Sequence, residues 1–122
     1  MAGNLQFGQR IRELREAKKR TDPAFSLRQF AEALNLSATF ISKMETGQFD
    51  PPSAENIKKM AELLGADPYE LLQLAQKPDP ELVEMVKEQP KEMADFLRTA
   101  REKGVTAAEL TEMTRKLRSR GT

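Results

Sequence analysis

The chain lacks the residue types that most often do covalent or metal chemistry. Its 122 residues include no Cys and no His. That removes a thiolate nucleophile, a disulfide framework, imidazole zinc sites and a His general base. Carboxylates and lysines are plentiful, but helical spacing brings no cluster of them into an enclosed pocket. The sequence therefore reads as a non-enzyme with no cofactor and no metal site. What remains is charge. Lys18, Lys19 and Arg20 are consecutive, and Arg10, Arg12, Arg15 and Arg28 lie near them. Glu62, Asp67 and Glu70 follow, and acids recur between 79 and 95. A basic end opposite a neutral-to-acidic remainder suits one-faced contact with a polyanion. The same pattern also describes a solvated surface of mixed charge. Net charge is only +1, so the arrangement carries whatever signal there is.

The elements that must position these charges fit in 13.8 kDa, one domain or a small domain with an appendage. Hydrophobic residues are 39%, enough for one modest core, and 6% aromatic with no Trp leaves few stacking platforms. No run approaches the ~18 apolar residues of a membrane span. Residues 1–20 are charged rather than signal-like. The expectation is a soluble, cytoplasmic protein with no membrane association, one that binds rather than converts.

No segment sustains period-2 alternation, so the fold class is all-α. Phe7, Ile11 and Leu14 set a first helix at about 5–19. Pro23 makes 21–25 loop-like. Ser26 with Gln29 has the capping-box spacing, opening a second helix at about 27–34 that buries Phe30, Ala31 and Leu34. Asn35-Leu36-Ser37 is a turn. Ser37 caps a third helix, about 38–46, with Ile41 and Met44 inward and Gly47 as a positive-φ stop. Ser53 caps a fourth, with Ile57, Met60, Ala61 and Leu64 inward and Gly65 as its stop. Asp67, Pro68 and Glu70 open a fifth that runs to about Ala75. Pro78 and Pro80 mark a boundary between domains at 1–76 and 77–122. Beyond it lie helical patterns at about 80–88, 90–103 and 107–119. Thr106 and Glu109 form a capping box for the last.

The second and third helices, joined by three residues, have helix-turn-helix spacing. Ala31, Leu36 and Ile41 recur every five residues and share the inner side of the bend. Ala31 must be small where the helices approach. The third helix is then free on one side, able to enter a major groove N-terminus first.

Residues 7–75 resemble the helix-turn-helix domain of the Cro/Xre family of phage and bacterial repressors. The matching stretches are 7–15 (FGQRIRELR), Ser26 to Gly47 with its ending ISKMETG at 41–47, Pro52-Ser53, 57–61 (IKKMA), Leu64-Gly65 and Asp67-Pro68. The resemblance implies a five-helix lambda-repressor-like DNA-binding domain followed by a small helical C-terminal segment. It places Ala38, Thr39 and Lys43 at positions that face base edges. Leu27 or Arg28, Phe40, Ser42, Thr46 and Gln48 match positions near the backbone or flanking bases. It also implies an ion pair of Arg15 with Glu45 between the first and third helices. Two departures stand out: Leu27 replaces a Gln common in relatives, and the loop at 20–25 is longer than usual. Bland readings run beside these. Thr39 and Arg28 could be plain exposed residues, and Lys43 an idle charge. Phe40 could pack on the neighbouring loop or touch a thymine methyl.

The function implied is a sequence-specific transcriptional regulator, a repressor binding a palindromic operator on double-stranded DNA as a homodimer. The apolar stripes of 79–122 are too large to stay bare on a monomer and suggest dimerisation or a regulatory protein partner. The alternative is an antitoxin-like interaction module that binds a toxin and autoregulates its operon.

Overall fold

A computed structural model describes residues 3–121 and contains eight helices and no strand among them. They are α1 (Leu5–Thr21), α2 (Leu27–Ala33), α3 (Ala38–Glu45), α4 (Ala54–Leu64), α5 (Pro68–Ala75), α6 (Pro80–Glu88), α7 (Pro90–Glu102) and α8 (Ala107–Arg118). The chain divides into two units, Met1–Pro80 and Glu81–Thr122.

The caps expected from sequence set the helix starts. Ser26 accepts from the Gln29 N–H, Ser37 from Phe40, Ser53 from Asn56 and Asp67 from Tyr69, at 2.9–3.2 Å. Each satisfies an amide that would otherwise lack an intrahelical partner. Asn4 does the same for α1 through the Phe7 N–H. The ends differ slightly from expectation. α1 runs two residues further, to Thr21, whose hydroxyl donates to the Lys18 carbonyl. The helix stops at Asp22, the residue that precedes Pro23. α2 ends at Ala33 because Asn35 takes a left-handed conformation, φ 57°. That lets the Leu36 N–H return to the Ala31 carbonyl at 3.0 Å and tightens the corner into α3.

The first unit has one core. Phe7, Ile11, Phe30, Ala31, Ile41, Met44, Ile57, Met60 and Leu71 are buried there, drawn from all five of its helices. α1 crosses α3 so closely that only glycine fits at position 8. A Cβ there would stand 2.3 Å from the Met44 carbonyl oxygen. Seven residues on, Arg15 meets Glu45 in a two-bond fork at 2.8 and 2.9 Å, with both side chains mostly buried. Asp79 is also buried and pairs with Lys58 on α4 at 3.1 Å, which ties the last residues of the first unit back to α4.

The second unit has no such interior. α6, α7 and α8 contain no buried residue. Its local chemistry is nonetheless well formed. The Thr106–Glu109 capping box has both reciprocal bonds, at 3.1–3.2 Å.

Candidate nucleic-acid interface

The caps and corner described above fix where α3 points. Its inner face carries Ile41, Met44 and Glu45, all buried. Its outer face carries Thr39, Ser42 and Lys43, all exposed, with Ala38 half-buried at its first turn. Thr39 and Lys43 are one helical turn apart, so they share a line along the outer face. Ala38 packs against the core at the N-terminal end, where the helix presents amides rather than a bulky side chain.

The C-terminal end of α3 is organised by a compact polar cap. The Lys43 carbonyl accepts from the Gln48 N–H at 2.8 Å and from the Phe49 N–H at 3.3 Å. The Thr46 hydroxyl lies 3.1 Å from the same carbonyl and 3.2 Å from that of Ser42. Gln48 donates its side-chain amide to that hydroxyl at 2.9 Å. Gly47, with φ 80°, makes the reversal possible. Thr46 and Gln48 are thus positioned by one another at the edge of the exposed face.

Phe40 is half-buried against the core, and its ring lies 5.8 Å from that of Phe49. The Lys43 ammonium stands over Phe49, 5.2 Å from the ring centre. The sequence alone assigns Phe49 no role. An aromatic residue among polar turn residues was the available signal, and its packing on α3 was not. Leu27, at the start of α2, packs against the core. Arg28 is exposed and lies 3.5 Å from Glu32, four residues along the same helix. Such a pair contributes little and leaves the guanidinium reachable from solvent.

The basic N-terminal stretch is less available than its sequence suggests. Arg10 bonds Glu70 at 2.8 Å, Arg12 bonds Glu16 at 3.0 Å and Arg15 bonds Glu45. Hydrogen bonding to Glu45 holds the Arg15 guanidinium above its usual range, against the opposing effect of burial. Glu70 has the same effect on Arg10. Lys18 donates to the Leu63 carbonyl and sits over the Phe25 ring. Phe25 in turn packs on Phe30, which anchors the long loop after α1. Lys19 and Arg20 remain exposed. No described group of His, Cys, Asp or Glu is placed to hold a metal ion. No helix among the described residues is long and apolar enough to cross a membrane.

A short helix buried on one side, bare on the other and joined to its predecessor by a tight corner is the geometry of a helix-turn-helix. Comparison with known proteins agrees. A family model described as a helix-turn-helix domain matches residues 6–74, which reach from α1 to the end of α5. Over 69 residues the chain is 42% identical to the uncharacterized HTH-type transcriptional regulator RghRB of Bacillus subtilis (strain 168). That match covers 57% of this chain and 45% of the relative, so the chain accounts for less than half of the relative's length. No solved structure matches the chain. With more than half of its residues inside the family model, the chain belongs to the helix-turn-helix domain family.

Proposed function

We propose that this protein is a sequence-specific DNA-binding transcriptional regulator of the Cro/Xre type, acting as a repressor. The observation that carries the reading is the exposed outer face of α3, with Thr39 and Lys43 in line and every helix around it fixed by caps and core. In this reading α3 enters the major groove with its N-terminus leading. Thr39 and Lys43 contact base edges, each good contact contributing about 1–3 kcal/mol of discrimination. Arg28, Phe40, Ser42, Thr46 and Gln48 line the backbone and flanking bases around them. Phosphate contacts set register and supply most of the affinity. Arg15 and Glu45 hold α1 to α3 and touch no base.

Two copies place two α3 helices in successive major grooves, about 34 Å apart, on a palindromic operator. Residues 1–76 bind DNA in this scheme and 77–122 supply dimerisation or a partner surface. Repression follows by occlusion where the operator overlaps a promoter. The name of the Bacillus relative, a transcriptional regulator, is consistent with this role.

The test is selection of duplexes from a random pool by the full chain, followed by sequencing. Enrichment of two inverted half-sites about one helical turn apart supports the reading. A bound pool with the composition of the input overturns it.

A further inference from the structure

The second unit raises a question the helix-turn-helix does not answer: what covers its apolar face. Leu82, Met85, Phe96, Leu97, Leu110 and Leu117 are each 45% or more exposed, and no residue of α6–α8 is buried. Short helices without packing are marginal in water, so this face needs a partner surface. The first unit does not offer a matching one. Its exposed large apolar residues are Leu5, Phe49 and Tyr69, which stand singly on α1, in the turn after α3 and on α5. The described surface that matches is the same face on another copy.

Charge gives the pairing a direction. From 81 to 95, five acids stand against two bases; from 96 to 121, seven bases stand against three acids. Helix dipoles favour acids at helix starts and bases at helix ends. That preference repeats in each helix and does not by itself divide the unit into an acidic and a basic half. Lys87–Glu84 and Arg115–Glu112 are pairs three residues apart, so neither joins the two halves. Parallel pairing of two copies would set like charge against like. Antiparallel pairing sets the acidic half of each copy against the basic half of the other.

We propose that residues 81–121 join two copies of this chain through an antiparallel, two-fold helical interface. The apolar faces meet, and the 81–95 half of each copy faces the 96–121 half of its partner. This rests on the homodimer proposed above and adds the seat and direction of the contact.

The experiment is sedimentation equilibrium on the full chain and two charge-reversed variants. One variant carries Glu84→Lys with Glu88→Lys, the other Lys116→Glu with Arg118→Glu. The parent should be dimeric. Each variant alone should self-associate about tenfold more weakly, because like charges now face each other. An equal mixture of the two should form mixed pairs in preference to self-pairs. About 1 M salt should remove the difference between variants and parent. Circular dichroism checks that helix content is unchanged, and Leu97→Asp, which attacks the apolar face instead, should leave a monomer. A monomeric parent overturns the second-copy occupant altogether, as does a parent found only in complex with a different protein. A dimeric parent whose variants associate as it does overturns the antiparallel charge arrangement while leaving the homodimer standing. Selection of duplexes by either variant at raised protein concentration tests the groove reading separately from both.

Discussion

Phe30 and Phe96 each belong to the apolar stripe of a helix, and helical periodicity alone does not tell them apart. Phe30 is 0% exposed and Phe96 is 48% exposed. The contrast extends to the units that hold them. In the first, five capped helices converge on a common interior and the buried polar groups are paired, Arg15 with Glu45 and Asp79 with Lys58. In the second, amphipathic helices, one of them opened by a complete capping box, leave their apolar faces bare. Caps and periodicity decide that a helix forms. They do not decide what its apolar face meets, because that depends on whether enough other faces are available to enclose it.

Substitution at the paired phenylalanines should open the widest gap. Phe30→Ala is expected to remove about 4 kcal/mol of stability, the range for a fully buried aromatic. Phe96→Ala should leave the unfolding of the first unit unchanged and weaken self-association instead. Denaturant unfolding followed by circular dichroism, beside sedimentation, separates the two. If both variants lose the same stability, the two units share one core and the contrast is wrong.

Glu45→Ala comes next. It leaves a largely buried guanidinium without its partner, at about 3 kcal/mol. The double substitution Arg15→Met with Glu45→Leu should recover most of that loss, since apolar replacement of a buried pair is often neutral. The sequence preference of DNA binding should be unchanged in the double variant. A changed preference would give the pair a reading role that its position on the inner side of α3 does not support.

On DNA, Thr39→Ala and Lys43→Ala should each weaken binding to the selected site by about 1–3 kcal/mol. Fluorescence anisotropy against scrambled duplex should show a smaller loss for Lys43→Ala and almost none for Thr39→Ala. Equal loss on both duplexes would reassign these side chains to the backbone.

The smallest expected effect is at Arg28. Its exposed pair with Glu32 contributes little, so Arg28→Ala should change stability by under about 0.5 kcal/mol. If Arg28 touches a phosphate, the slope of log affinity against log salt should become shallower by about 0.9. An unchanged slope would leave Arg28 a solvated residue.

Most of the first unit was legible because its punctuation is local. Ser26, Ser37, Ser53 and Asp67 each cap within two or three residues, and Gly65 stops α4 in the left-handed conformation its position implied. Asn35 was harder to read, because its positive φ follows from the tight corner rather than from its own type. Gly8 was not legible at all. The need for glycine there comes from the α3 backbone, 36 residues away along the chain. The same holds for the charges of α1. A run of Arg and Lys looks like a polyanion surface until Glu70 and the Leu63 carbonyl, distant in sequence, are seen to engage Arg10 and Lys18; only the pairing of Arg15 with Glu45 was already implied by the family resemblance. Phe49 was overlooked for a related reason. Its contact with Phe40 and Lys43 depends on the reversal at Gly47, which sequence marks as a stop but not as a fold-back.

The most direct test of the groove-reading face uses the absence of cysteine from the chain. Thr39→Cys gives a single thiol on the outer face of α3, to which an iron chelate that cleaves DNA can be attached. On a bound duplex, a chelate at position 39 should cut within each half-site, on the strands that border its major groove, while the cysteine-free parent treated with the same reagent should not cut there. Stable binding with no cleavage from position 39, or the same cuts with the treated parent, would contradict the placement of α3 in the groove.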